Sequence, residues 1–161
     1  MSWAIELVDG GKMRISASEN KQFIRWAIEE IFNRKRTEMA GVFYEHDCRG
    51  NTPDGRYKSR DELTAILARY AVALPDSRMS IDCMIADGDR VIVHYTFTGT
   101  NTGPWAGLPA TNHALRISGV MISRIQNNRI IQQDFVWDAL DARRQLTAAT
   151  TPRLDHLWPA A

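Results

Sequence analysis

Apolar positions recur at helical spacing in the first half of the chain and at every second residue from Met79 onward. Ser18 opens the first helical stretch. Phe23, Ala27 and Ile31 fall four apart, as do Ile24, Ile28 and Phe32, which predicts one broad apolar helix face. A shorter helix is expected from Thr37 to about Phe43. Leu63, Ile66, Leu67, Tyr70, Ala71 and Leu74 share the face of a further helix. Ser59-Arg60-Asp61-Glu62 has the form of a capping box at its start, where a hydroxyl and a carboxylate satisfy backbone N–H groups that the first turn leaves free. Pro75 stops this helix, because proline lacks the N–H a helix interior needs. Between the helices, residues 47–58 carry Gly50, Asn51, Pro53, Asp54 and Gly55 and read as a loop.

After Met79 the period becomes two. Ile81, Cys83 and Ile85 alternate with polar residues, and Asp87-Gly88-Asp89 makes a turn. Val91, Val93, Tyr95 and Phe97 share one strand face; Ile92, His94, Thr96 and Thr98 share the other. A loop spans 100–112, a long alternating strand 114–125, an Asn127-Asn128 turn follows, and a last strand covers 129–137. Residues 140–146 form a closing helical turn. At the start, 4–8 and 12–16 flank Asp9-Gly10-Gly11 as a hairpin, and 147–161 form an Ala/Thr/Pro-rich tail in which Leu154 and Trp158 are the docking residues. Helices followed by a run of antiparallel strands give an α+β class with helices on one sheet face. The expected layout is an N-terminal extension over 1–17, one domain over 18–146 and a tail over 147–161.

Composition narrows the partners. The chain has 161 residues and a formal net charge of +1, so electrostatics favour neither a nucleic acid nor a membrane surface as partner. The basic run Arg34-Lys35-Arg36 reads as a solvated helix end that complements the helix dipole. Cys48 and Cys83 lie too far apart for a metal knuckle or a redox motif, and two ordinary thiols suit a reducing compartment. The first residues lack a basic region followed by an apolar run, so a cytoplasmic location is expected. No two histidines have ligand spacing, so no metal is expected.

Several short pieces occur together in order. They are Pro75-Asp76-Ser77-Arg78, Asp87-Gly88-Asp89-Arg90-Val91, Gly99-Thr100-Asn101-Thr102-Gly103 and Gly107-Leu108-Pro109-Ala110-Thr111. The run from Arg129-Ile130-Ile131 through Trp137-Asp138-Ala139-Leu140 to Gln145-Leu146 follows without a gap. Upstream, Tyr44-Glu45-His46-Asp47 looks like a short strand that ends in His-Asp. In these pieces residues 18–146 resemble the SnoaL-like polyketide cyclases of the nuclear-transport-factor-like superfamily. The resemblance implies a cone-shaped α+β barrel, in which a strongly curved, mostly antiparallel sheet wraps the N-terminal helices around an apolar pocket. It implies ring closure without metal or organic cofactor, driven by one pocket carboxylate that takes and returns a proton. It also implies a homodimer formed through the outer sheet face.

The sequence departs from that pattern at the decisive strand. The resemblance implies His-Trp-Asp, with the aspartate as acid/base, where this chain has Gln133-Asp134-Phe135. The acid position is therefore Phe135, and Asp134 lies one residue early, on the opposite strand face unless a bulge restores it. Asp134 is thus a candidate acid/base, or else a helix-facing or interface aspartate held by an arginine. His46, flanked by Glu45 and Asp47, is the second catalytic candidate, or a structural strand-end histidine. Asn101 stands where the resemblance implies histidine; it can orient a carbonyl but not exchange a proton. Asp138 fits an acidic position after the strand and equally a helix cap. Tyr95, Phe97, Trp105, Phe135 and Trp137 are candidates to line a pocket for a small apolar or polyketide-like molecule, or to form plain core. Arg116 and Arg124 could neutralise Asp134, or with Asp134 and Asp138 supply the Asp-Arg-Asp set of an epoxide-opening enzyme. Two functions follow: a cofactor-free enzyme for cyclisation, isomerisation or dehydration, in the isomerase or lyase classes of secondary metabolism, and a ligand-binding or partner-subunit protein on the same fold.

Overall fold

A computed structural model describes residues 16–148; the expected N-terminal hairpin and the tail residues Leu154 and Trp158 lie outside them. The first helix, α1 (Ala17–Ala27), begins at Ser16, whose hydroxyl accepts from Glu19 N while Glu19 reaches back to the Ser16 N–H at 2.7 Å. It continues without a break as a π-helix, Ile28–Asn33. Its face is the one the spacing predicts: Ile24, Ala27, Ile28 and Ile31 are buried. A short 3-10 turn (Thr37–Met39) leads to α2 (Ala40–Phe43), and α3 (Arg60–Ala73) is capped by Ser59. The Glu62 carboxylate accepts from Lys58 N rather than from the cap residue itself.

Six strands form one sheet: β1 (Tyr44–Thr52), β2 (Gly55–Tyr57), β3 (Arg78–Asp87), β4 (Arg90–Thr100), β5 (Ala114–Gln126) and β6 (Arg129–Trp137), in the order β2-β1-β6-β5-β4-β3. All neighbours are antiparallel except β1 and β6. The sheet curves around α1 and α3, and the closing helix α4 (Ala139–Thr147) packs on β5. The α+β cone is therefore the architecture observed.

Two sequence readings are corrected. Residues 47–58 are mostly strand, not loop: β1 runs on to Thr52 and turns back through β2. Gly50 serves close approach, since a Cβ on it would lie 1.8 Å from Gln133 O on β6, whereas Gly55 supplies the positive φ (137°) at the start of β2. In β3, Ile81 pairs with Tyr95 but Cys83 pairs with His94, so Asp82 is an extra, bulged residue. That offset turns Met79, Ile81, Met84 and Ala86 toward the core and leaves Cys83 and Ile85 exposed.

Candidate functional site

The cone encloses a pocket with about 690 Å³ of empty space, its mouth included. The side chains of the π-helical extension of α1, of α3 and of the inner sheet face build it, with Lys35, Ser77 and Trp105 from the connections between elements. Tyr95, Phe97, Trp105, Phe135 and Trp137 all line it, together with Ile66 and Tyr70 from α3. The aromatic rings pack on one another: Trp105 and Trp137 have centroids 5.6 Å apart, Tyr70 and Trp105 5.7 Å, and Phe32 and Phe135 5.8 Å. No carboxylate and no imidazole is among the lining side chains of this pocket.

The strand phase explains that absence. From Gln132 to Trp137, β6 pairs residue for residue with Arg124 to Gly119 on β5. A bulge does occur in β6, at Ile131, because Ile130 pairs with Ile125 while Gln132 pairs with Arg124. It lies upstream of Asp134 and leaves the later alternation intact. Gln133, Phe135 and Trp137 point inward, and Asp134 and Val136 point outward. Asp134 is occupied on that outer side: Oδ1 accepts from Asn51 N at 2.9 Å and Asn51 Nδ2 at 2.6 Å, and Oδ2 accepts from Gln132 Nε2 at 2.9 Å. It links β6 to β1 across the sheet.

The other candidates are dispersed. His46 is exposed on β1, with Nδ1 at 2.6 Å from Asp47 Oδ1, and does not line the pocket. Asn101 is fully buried, but its amide is spent on the β4–β5 loop, donating to Gly103 O at 2.7 Å and accepting from Thr111 N and Oγ1. Asp138 caps α4 by accepting from Asp141 N at 2.8 Å. Arg124 pairs with Asp89 at 2.7 Å, and Arg116 lies near the other end of β5, where its backbone N–H and carbonyl bond to Gln145, so no Asp-Arg-Asp set assembles. Among the described residues no three His, Cys, Asp or Glu side chains converge as a metal site, and no helix is long and apolar enough to cross a membrane.

Lys35 and Ser77 are polar residues of the pocket wall that escaped the sequence reading. Lys35 is not solvated with its neighbours. Arg34 and Arg36 both pair with the buried Glu30, at 2.9 and 3.0 Å, while Lys35 takes a left-handed backbone (φ 59°) and turns inward. Its Nζ donates to Phe32 O and Ser77 O, each at 2.5 Å, and contacts Ser77 Oγ at 2.8 Å. Burial holds the amine below its ordinary pKa, and the charge of Asp76 partly offsets this. Ser77, itself buried, is the second. Nothing in the pattern of a basic triplet distinguishes its middle residue; the left-handed turn after the π-helix that sends Lys35 inward is a property of packing. Deeper in, Gln133 occupies the position for which the resemblance implies histidine. It accepts from Tyr44 Oη at 2.6 Å and donates to Ser123 Oγ at 2.7 Å, a buried network within the protein, and it does not line the pocket.

Held beside known proteins, the chain matches by shape and by family. TsrD from Streptomyces laurentii superposes with a TM-score of 0.75 at 21% identity, over 83% of this chain and 98% of that one. A protein from Jannaschia sp. CCS1 described as a SnoaL-like polyketide cyclase gives 0.77 at 16%, over 88% and 100%. AclR from Streptomyces galilaeus, described as a hydroxylase, gives 0.72 at 19%, over 86% and 87%. These likenesses speak for the fold, and their different descriptions show why a fold alone leaves the chemistry open. No curated protein sequence matches the chain. The family model for SnoaL-like polyketide cyclases matches residues 22–146, from the second turn of α1 to the last residues of α4, and the chain belongs to that family.

Proposed function

We propose that the chain holds a small, apolar ring compound inside the cone, without the strand aspartate on which the family resemblance would have it depend. One position carries this reading. Phe135, 8% exposed, lies on the inner face of β6 against Phe32, while the adjacent carboxylate is outside the sheet and held by Asn51. A wall of aromatic rings with few polar atoms is suited to bind and shield a planar molecule. The test is equilibrium dialysis against a panel of two- and three-ring aromatic compounds, run with Asp134→Asn alongside the wild type. Binding that is equal in both proteins is expected. A panel without any binder, or binding that disappears with Asp134→Asn, overturns the reading.

A second reading, a cofactor-free acid/base enzyme for cyclisation, isomerisation or dehydration, is favoured by one observation. Lys35 and Ser77 sit together on the pocket wall, and an amine with a burial-lowered pKa is suited to exchange a proton with a bound substrate. Under this reading turnover falls with Lys35→Met and survives Asp134→Asn.

A further inference from the structure

The pocket wall holds O–H and N–H groups that have no acceptor among the described residues. Lys35 gives its protons to the Phe32 and Ser77 carbonyls and to Ser77 Oγ. Ser77 Oγ accepts from that ammonium, so its own O–H is turned elsewhere, and it has no acceptor among the described residues. The Tyr95 hydroxyl on the same wall likewise donates to no described protein group. Trp105 Nε1 is buried with no hydrogen-bond partner. A buried donor without an acceptor is costly, and native proteins keep few of them.

Trp105 is also held there deliberately. Trp105 N donates to Leu108 O at 3.0 Å and Leu108 N to Trp105 O at 2.8 Å, closing a two-residue turn. The turn residues, Ala106 (φ 51°) and Gly107 (φ 76°), are both left-handed, and alanine adopts that conformation only when the surroundings impose it. Against these donors the pocket offers no carboxylate. Tyr70 donates to Asp54 and Thr52 to Gly55 O, so both are committed. Asp76, the acid whose charge reaches Lys35, is engaged by Thr100 N and Oγ1 at 2.7 Å each.

A cation, free donors and aromatic walls with no opposing acid describe the complement of one kind of molecule. We infer that the ligand is a flat aromatic carboxylate: its carboxylate accepts the Ser77 O–H beside the positive charge of Lys35, its ring stacks on the aromatic wall, and Trp105 donates to a further acceptor on the ring system. This rests on the small-molecule reading above and names its ligand class.

Equilibrium dialysis of the full chain with 2-naphthoate and with its neutral isostere 2-naphthamide tests it. The carboxylate is expected to bind about tenfold tighter or more, the margin of a charge-assisted hydrogen bond. Lys35→Met should bring the ratio of acid to amide affinity toward one, and Ser77→Ala and Trp105→Phe should each weaken naphthoate several-fold. Lys35 also ties the end of the π-helix to the start of β3, so the serine and tryptophan variants carry the test if Lys35→Met does not fold. Equal affinity for acid and amide overturns the carboxylate and leaves the small-molecule reading standing. A preference that survives in all three variants overturns it too. If neither compound binds, the carboxylate inference falls, and the wider panel decides the small-molecule reading.

Discussion

Position 119 has no room for a side chain. Gly119 pairs directly with Tyr95 across β4 and β5, and a Cβ placed on it would lie 2.5 Å from the Tyr95 ring and hydroxyl. The missing side chain lets that ring lie flat on the sheet as pocket wall. Gly119→Val is expected to cost about 1–3 kcal/mol, the usual range for overpacking, read as a lower denaturation midpoint at unchanged slope. The two thiols differ in the same residue-by-residue way. Cys48 is fully buried and its pKa is pushed up to about 11, while Cys83 is exposed by the β3 bulge. One thiol should therefore react fast with a disulfide reagent at pH 8 and the other only on unfolding. The sign of the pH effect follows: between the ordinary 9.0 and about 11 the unfolded chain has lost a proton that the folded chain keeps, so Cys48 lowers stability as pH rises through that window. A Cys48→Ala variant, compared with wild type in denaturation midpoints from pH 8 to 10.5, should lack that part of the decline. Little of this is legible from sequence. Aromatic and apolar letters announce a wall, and Tyr95, Phe97, Trp105, Phe135 and Trp137 do line it. Lys35 sits in a charged triplet, and only the left-handed turn after the π-helix separates it from Arg34 and Arg36.

Among the elements, those with strong periodicity are legible and those set by sheet closure are not. The face of α1, the cap and stop of α3, and the β4 and β5 alternations follow from spacing, because a helix or a half-buried strand must keep its apolar side in one direction. Strand β1 was hidden because it is mostly polar and its one glycine, Gly50, serves close backbone approach to β6, features that a loop shares. The bulges at Asp82 and Ile131 are likewise invisible, since an extra residue leaves no compositional mark while it flips everything beyond it. At Asp134 the sequence alternatives turned on whether such a bulge falls between it and the pocket, and it falls upstream instead. The element after β6 yields a further prediction. Asp138 is the cap of α4, so Asp138→Ala is expected to cost about 1 kcal/mol of stability. Because its carboxylate serves the helix, ligand affinity in the same variant should not change; a loss of affinity without a loss of stability would return Asp138 to the site.

For the whole molecule, the outer sheet face asks for a partner. Ile85, Ile92 and Ile122 form one row in direct register across β3, β4 and β5, and Val120 and Val136 form part of the next across β5 and β6. Ile85, Ile92 and Val136 are 60%, 41% and 59% exposed. Single exposed apolar residues are ordinary, but rows in register across adjoining strands make a continuous patch of the sort that marks an interaction surface. A patch on one sheet face can meet its own copy about a two-fold axis, which closes the assembly at two and covers both faces at once. Light scattering after gel filtration should therefore give about twice the chain mass of 18.3 kDa. Ile92→Glu combined with Val136→Glu, which sets charges in adjacent rows, should return the mass to that of one chain. Both side chains point away from the pocket, so the monomeric variant should bind ligand as the wild type does. A wild-type mass of 18.3 kDa at tens of micromolar would mean that these rows stand open to water. A monomeric variant that also loses ligand would mean instead that the shape of the cone depends on the second copy: the outer face would then be holding the curvature that brings Phe135 and Trp137 into the wall.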